Sequence, residues 1–576
     1  MLTATTRSTM TSTMLRRLAL LLAITAMLAA CAPSNPDAET ADGTDDTTQD
    51  AGTDTADDAE DEASEDGDTD ATTGEAGGTL VIGTTADVVN LNPLVGNSRT
   101  DTWVTNLMYP RMMDMDLEGT KTPSLATDWS YSEDGLTATV NLRDDFTWSD
   151  GEPVDAEDVM FTIDAIKAEQ FGVVAGMIAA YESSTAPDPH TIEFTLSRPD
   201  GAFLNSVGFW MPIVPEHVFS AAESVQEFAN DSDWVSAGPY RLTDVQAGDR
   251  YTMTAVDSYP LAPDGTPTLD EVVFRVFPDV NTEVLALRNG DIDLIGNAIP
   301  PTLVEQLQDV DGLELVTVPS LGWAHMQYNM RREPLDQLEV RQALAHAVDY
   351  EAIRQVVLRG QAVSSGSSPL TPSFQQWYDD SFEEYAHDPE RSRELLESAG
   401  QVDADGDGLY DGLTLEMVYD SADPNISAWA EIVRDQSREA GIDIQLSGLE
   451  RNTYLARTNE RDFDIYAGSW AIIDEPQSNF SLLFFPDGFI NYAGVEDPDL
   501  VAAIENAAVQ TSVEEARPFV QEAGRIVHDN VYDNVMYVEQ FNFAHSSDWE
   551  GFVAQPSELL SILNPRSLAQ VVPAGE

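Results

Sequence analysis

Residues 32 to 78 cannot build a core. Nearly every position in "ETADGTDDTTQDAGTDTADDAEDEASEDGDTD" and its flanks is Ala, Asp, Glu, Thr, Ser or Gly. Such a stretch has too little apolar surface to offset the entropy of ordering, and its carboxylates repel one another. It is read as a disordered spacer that reaches roughly 35–40 Å on average, and further where charge stretches it. All folding is thereby confined to residues 79 to 576, enough for two or three domains. Of the 102 acidic residues, 17 lie in the spacer, leaving 85 against 25 of the 28 basic ones, so the folded part carries a net charge near −60. Only Lys121 and Lys167 are lysines. Self-repulsion on that scale opposes compaction in dilute buffer and is largely screened at molar salt, where the Debye length is about 3 Å. The composition therefore points to a halophile. It argues against nucleic acid as a partner, because phosphate binding needs clustered Lys and Arg.

The spacer follows an apolar run, Leu18 to Ala30, that ends at Cys31, the single cysteine of the chain. Arg7, Arg16 and Arg17 precede the run and small residues close it, which is the order of a secretory signal. Thirteen residues are too few to span a bilayer comfortably. Leu28-Ala29-Ala30-Cys31 resembles the bacterial lipoprotein cleavage pattern. On that reading residues 1–30 are removed, Cys31 becomes a lipidated N-terminus, and 31–78 is the leash. Two or more acyl chains hold a protein at a membrane surface, each buried methylene adding roughly 0.8 kcal/mol.

Beyond residue 78 strands and helices mix. "TLVIG" at 79–83 reads as a strand. In "LTATVNLR", 136–143, Leu136, Ala138, Val140 and Leu142 alternate with polar residues, and "TIEFTLSR", 191–198, repeats the pattern with Ile192, Phe194 and Leu196. "EVRQALAHAVDYEAIRQVVLRG" places Val340, Leu344, Val348, Ile353 and Val357 on one helical stripe, with Asp336 as the expected cap. "DPERSRELLESAG" has Asp388 at the N-cap, Pro389 at the first helical position and Gly400 past the end. The fold class is α/β.

The stretch "TPSLATDWSYSEDGLTATVNLRDDFTWSDGEPVDAEDVMFTI", 122–163, resembles the signature block of the family 5 extracellular solute-binding proteins. Further blocks stand in the family's order: "LNPL" at 91–94, "SAGPYRL" at 236–242, "VRQALAHAVDYEAI" at 340–353 and "HDPERSRELLESAG" at 387–400. The resemblance implies a type II periplasmic-binding-protein fold, two lobes joined by a hinge. Lobe I would comprise 79–121 with 198–278 and 531–576, an inserted subdomain 122–197, and lobe II 279–530. It implies a monomeric receptor outside the cytoplasmic membrane, tethered only by its N-terminal lipid. Such a receptor captures a peptide or other small-molecule ligand and passes it to the permease subunits of an ATP-driven importer. A solute sensor would use the same fold. Trp148-Ser149-Asp150-Gly151 is expected to turn the chain, and Asp155 to cap the helix that carries Val159 and Phe161.

Peptide-binding members of the family hold the ligand's ammonium with an aspartate in a segment of the form Gly-Trp-x-x-Asp, because a desolvated ammonium needs a paired carboxylate. The matching segment here is "GSWAIIDEPQ", 468–477, and the anchor position falls on Ile472 or Ile473. Asp474 either substitutes for the anchor or is a turn residue before Glu475-Pro476. Oligosaccharide binding is the alternative, with Trp470, Trp323 and Tyr328 as aromatic platforms and Asn329 as a ligand contact or a backbone brace. "DADGDGLYDG", 403–412, places Asp403, Asp405, Asp407 and Asp411 at calcium-loop spacing, but Thr414 stands where the bidentate glutamate belongs. It is either a structural calcium turn or an acidic hairpin loop, and no other cofactor is expected. Seven scattered histidines, with no His-x-x-x-His and no Gly-x-Ser-x-Gly, argue against an enzyme.

Overall fold

The computed structural model describes residues 77–575 apart from 96–97, 471–474, 487, 489 and 557–560. The signal segment, Cys31, nearly all of the spacer and Asp474 lie outside the described residues. Four strands position the site: β1 (Thr79–Thr84), β2 (Trp323–Tyr328), β3 (Ile465–Trp470) and β4 (Asn534–Ser546). β1 lies between the parallel strands Glu271–Val276 and Leu294–Ile295. Leu80 and Ile82 are wholly buried there, as a short apolar run in a parallel strand requires.

β4 is the seam of a twelve-stranded sheet. Its early residues pair with β2, and its later ones, 540–546, pair with Leu313–Pro319, while His545 meets Leu294. On one side of β4 the order runs through Leu294–Ile295, β1, Glu271–Val276 and Arg250–Ala255 to Tyr240–Gln246. On the other side it runs through β2, β3 and Thr414–Asp420 to Asp443–Leu449. The helix α1 (Val280–Asn289) and the strand after it join the β1 half, where Val284, Leu287, Ile292 and Ile295 share a core with Phe277 and Ala544. The chain crosses to the β2 half only at 320–322, not at the expected boundary of 279, because 294–295 and 313–319 bond to β1 and β4 first.

A separate four-stranded antiparallel sheet is ordered Ala126–Tyr131, Thr137–Leu142, Thr191–Leu196, Tyr181–Asp188, and it falls within 122–197. Ala138, Val140, Leu142, Ile192, Phe194 and Leu196 are buried as the alternation predicts. Leu136 is not: it precedes the strand and is 37% exposed. Asp155 caps Ala156–Glu169, its carboxylate accepting from Glu157 N. Gly151 N closes the preceding turn onto Trp148 O, and the buried Trp148 indole donates to Asp158. Asp388 caps Pro389–Ser398 through Arg391 N.

The single helix expected across 339–360 is two. Leu338–His346 starts at Gln337 without a side-chain cap, so Asp336 does not cap it. Tyr350–Val356 starts at Asp349, whose carboxylate accepts from Ala352 N. The apolar stripe runs on across the break, which is why periodicity alone missed it.

One buried acid stands out. Glu283, on α1, has no solvent exposure, and neither carboxylate oxygen has a hydrogen-bond partner among the described residues. The nearby Gly296 N–H is taken by Gly83 O at 2.9 Å. Gly83 is required beneath it, because a Cβ there would stand 2.8 Å from Glu283 Cγ. Burial pushes the Glu283 carboxyl up to about 8 from an ordinary 4.5. A raised folded-state value means that stability is full below the unfolded value and falls as pH rises toward 8. Glu283→Gln is therefore expected to stabilise the protein by about 1–3 kcal/mol at pH 8 and by less at pH 5, as read from denaturant melts at the two pH values.

Candidate functional site

β2 and β3 are antiparallel, with Trp323 opposite Trp470, His325 opposite Gly468 and Gln327 opposite Tyr466. Alternation along a strand places these six residues on one face of the sheet. Ala324, Met326 and Tyr328 occupy the other face, in a core shared with Leu344, Ile353, Trp429 and Val433. Every residue of β2 is buried.

The first face is organised by Asp533, which immediately precedes β4. Its Oδ2 accepts from Trp323 Nε1 at 3.0 Å, and its Oδ1 lies 2.6 Å from His325 Nδ1. The side chains of His325 and Asp533 are both fully buried. Each oxygen of this buried carboxylate thus faces a donor. Aromatic rings wall the face. The Trp470 ring lies 5.3 Å from His325 and stacks at 6.4 Å on Tyr492, and Tyr466 stands edge-on to His325 at 5.4 Å and stacks on Tyr454 at 5.7 Å. Trp470 is 6% exposed.

The structure thus brings Trp323 and Trp470 together and separates Tyr328 and Asn329 from them. The Tyr328 hydroxyl accepts from Asn534 Nδ2 at 3.0 Å in the opposite core, and burial pushes its phenol above the ordinary tyrosine range. Asn329 donates to Arg461 O and Phe463 O, both at 3.0 Å, so it braces the turn that leads into β3. The Trp323 indole is held by Asp533 and packs as part of the core. His325, Gln327 and Asp533 were not singled out from the sequence. The alternation in "WAHMQY", 323–328, places His325 and Gln327 on the Trp323 side, and that signal could have found them. Asp533 is more than 200 residues away in sequence and gave no such signal.

Beside Trp470 the chain meets another part of the molecule. Glu475 and Gln477 are buried at the start of the helix Pro476–Phe484, and Gly201 N donates to Ala508 O at 2.9 Å. A Cβ on Gly201 would stand 1.8 Å from Gln510 O and 3.0 Å from Gln477 Nε2. Only glycine permits that approach.

In the acidic loop, carboxylate oxygens of Asp403, Asp405 and Asp407 lie within 4.8 Å of one another. Asp411 is not in that group; its Oδ2 accepts from Ala404 N at 3.2 Å. Asp403 accepts from Gly406 N and Gly408 N, Asp405 from Asp407 N, and Asp407 from Leu409 N. The loop's turns are therefore closed by its own backbone, and three of the four expected carboxylates converge closely enough to hold a cation.

Comparison with known proteins gives a consistent result. Residues 120–491 match the family described as bacterial extracellular solute-binding proteins, family 5 middle. The dipeptide-binding protein of Escherichia coli is 27% identical over 404 residues, 66% of this chain and 73% of that protein. The oligopeptide-binding protein AppA of Bacillus subtilis is 23% identical over 506 residues, 84% of this chain and 90% of its own length. The crystal structure of CtaP from Listeria monocytogenes, an ABC transporter substrate binding protein, superposes with a TM-score of 0.77 at 25% identity, covering 87% of this chain and all of that one. These relatives are binding proteins rather than enzymes, and their type II periplasmic-binding-protein fold is the fold of this chain. With well over half of its length inside the family match, the chain belongs to the family 5 extracellular solute-binding proteins.

Proposed function

We propose that this protein is the lipid-anchored receptor of an ATP-driven importer, capturing a peptide or related solute between two lobes and delivering it to the permease. What carries the reading is the match over 120–491 to a family whose similar members are named for dipeptides and oligopeptides. The arrangement of the sheet supports it. The β1 half and the β2 half of the sheet are joined along β4 and the short crossing at 320–322. Residues 200–201, which follow the four-stranded sheet, meet 508–510 in the chain after β3. A ligand that touches both halves favours the closed state, and a permease that recognises that state reads occupancy directly. The halves of the sheet on either side of β4 are the two proposed lobes, and the four-stranded sheet is the inserted subdomain.

A second reading, oligosaccharide binding, is favoured by one observation: the sequence positions where an ammonium-binding aspartate is expected are Ile472 and Ile473, while the face formed by β2 and β3 is walled by Trp470, Tyr466 and Tyr492. A thermal-shift screen in molar KCl separates the two. Trialanine at 100 times its dissociation constant is expected to stabilise the fold by about 2.7 kcal/mol, and stabilisation by maltotriose alone would replace peptide with sugar.

Anchoring rests on Leu28-Ala29-Ala30-Cys31, and the acidic, lysine-poor composition supports life at high salt. Cys31→Ser is expected to move the protein from the membrane pellet to the soluble fraction in cell fractionation; retention in the pellet would remove the lipid anchor from the proposal.

A further inference from the structure

The face formed by β2 and β3 carries three polar side chains that the fold itself leaves incomplete. His325 Nε2, both amide atoms of Gln327 and Trp470 Nε1 are buried, and none has a hydrogen-bond partner among the described residues. Their residues are 0%, 0% and 6% exposed. Native interiors rarely leave such groups unpaired, and three on one sheet face call for an explanation. They do not form a random scatter: His325 and Gln327 are alternate residues of β2, and the Trp470 ring lies 5.3 Å from the His325 ring.

We infer that His325, Gln327 and Trp470 are ligand-binding residues that hold an uncharged stretch of peptide backbone, an inference that rests on the receptor reading above. The charges on this face argue against recognition of a terminal ammonium here. Its carboxylate, Asp533, is fully buried behind the two groups it bonds, His325 Nδ1 and Trp323 Nε1, so a terminal ammonium has no open approach to it. What remains is mixed in sense. The Trp470 indole only donates, the Gln327 amide donates and accepts, and His325 Nε2 accepts once Nδ1–H points at Asp533. One acceptor, one donor and one group with both match the alternating C=O and N–H of an amide chain. The flat rings of Trp470, Tyr466 and Tyr492 supply apolar walls around it.

The test is calorimetric titration of the whole mature protein in molar KCl with trialanine, N-acetyl-trialanine amide and maltotriose. The expected result is that the capped peptide, which has no terminal charge, binds within about threefold of the free one. Trp470→Phe, which keeps an aromatic ring, and Gln327→Met, which keeps the volume, should each weaken both peptides by about tenfold or more, because each leaves a peptide polar group unpaired. Unchanged peptide affinity in both variants overturns the inference and makes the three groups core atoms only. Capped peptide failing where free peptide binds overturns it as well, in favour of a charged anchor elsewhere. Binding of maltotriose but neither peptide overturns the amide assignment along with the peptide reading, and binding of none of the three overturns the receptor reading itself. If the variants melt too low to titrate, hydrogen exchange of the unaltered protein decides the matter. Trialanine should slow exchange in 323–328 and 465–470, and no change there overturns the inference.

Discussion

The β4 strand carries the architecture because its backbone serves two partners at different heights. Near its start the hydrogen-bonding groups go to β2, and near its end they go to Leu313–Pro319 and, at His545, to Leu294. A backbone group that leaves its sheet partner must find another or be exposed, so both halves of the sheet are registered to one thirteen-residue segment. Asp533, one residue upstream, inherits that registration. Its place under Trp323 and His325 follows from the β4–β2 pairing, and the polar face of the candidate site is therefore set by the same strand that joins the halves.

Charge is distributed under a comparable constraint. With so few cations available, several arginines each serve two acids. Arg332 pairs with Asp462 and Asp464, Arg354 with Glu351 and Glu384, and Arg457 with Glu416 and Asp462. The guanidinium fork suits that bridging in a way a lysine ammonium does not, which accords with only two lysines in the chain. The hydrogen bond from Arg457 holds the Glu416 carboxyl down at about 2. Local networks of this kind relieve the repulsion where strands and helices converge and leave the open surface acidic.

Much of this organisation was legible in the residues. Alternation gave the strands at 137–142 and 191–196, and Asp155 and Asp388 gave helix starts, because those signals are local. Leu136 misled because a residue beside a turn can bond to the next strand through its carbonyl, which accepts from Leu196 N, while its side chain stays exposed. Asp349 was hidden because the buried positions on either side of it keep helical spacing. The placement of 280–319 beside β1 depends on pairings with residues more than 200 positions away, and periodicity carries no information about those. The same limit applied to the site. Trp323 and Trp470 were visible as large rings, and β2 and β3 do place them opposite each other. Tyr328 and Asn329 are neighbours in sequence, yet Tyr328 lies on the opposite face and Asn329 is used as a backbone brace. His325 and Gln327 share the right face but are unremarkable residue types until His325 Nε2 and the Gln327 amide are seen to have no partner among the described residues.

At Gly201 two segments distant in sequence meet backbone to backbone. Its α-carbon stands where even a methyl group would overlap the carbonyl of Gln510. The backbones on the two sides approach as closely as peptide groups can, with no side chain between them to compress or to yield. Any larger residue at position 201 would have to push 508–510 away, so the seating of the helix Pro498–Ala508 against this turn depends on the absence of a single carbon atom.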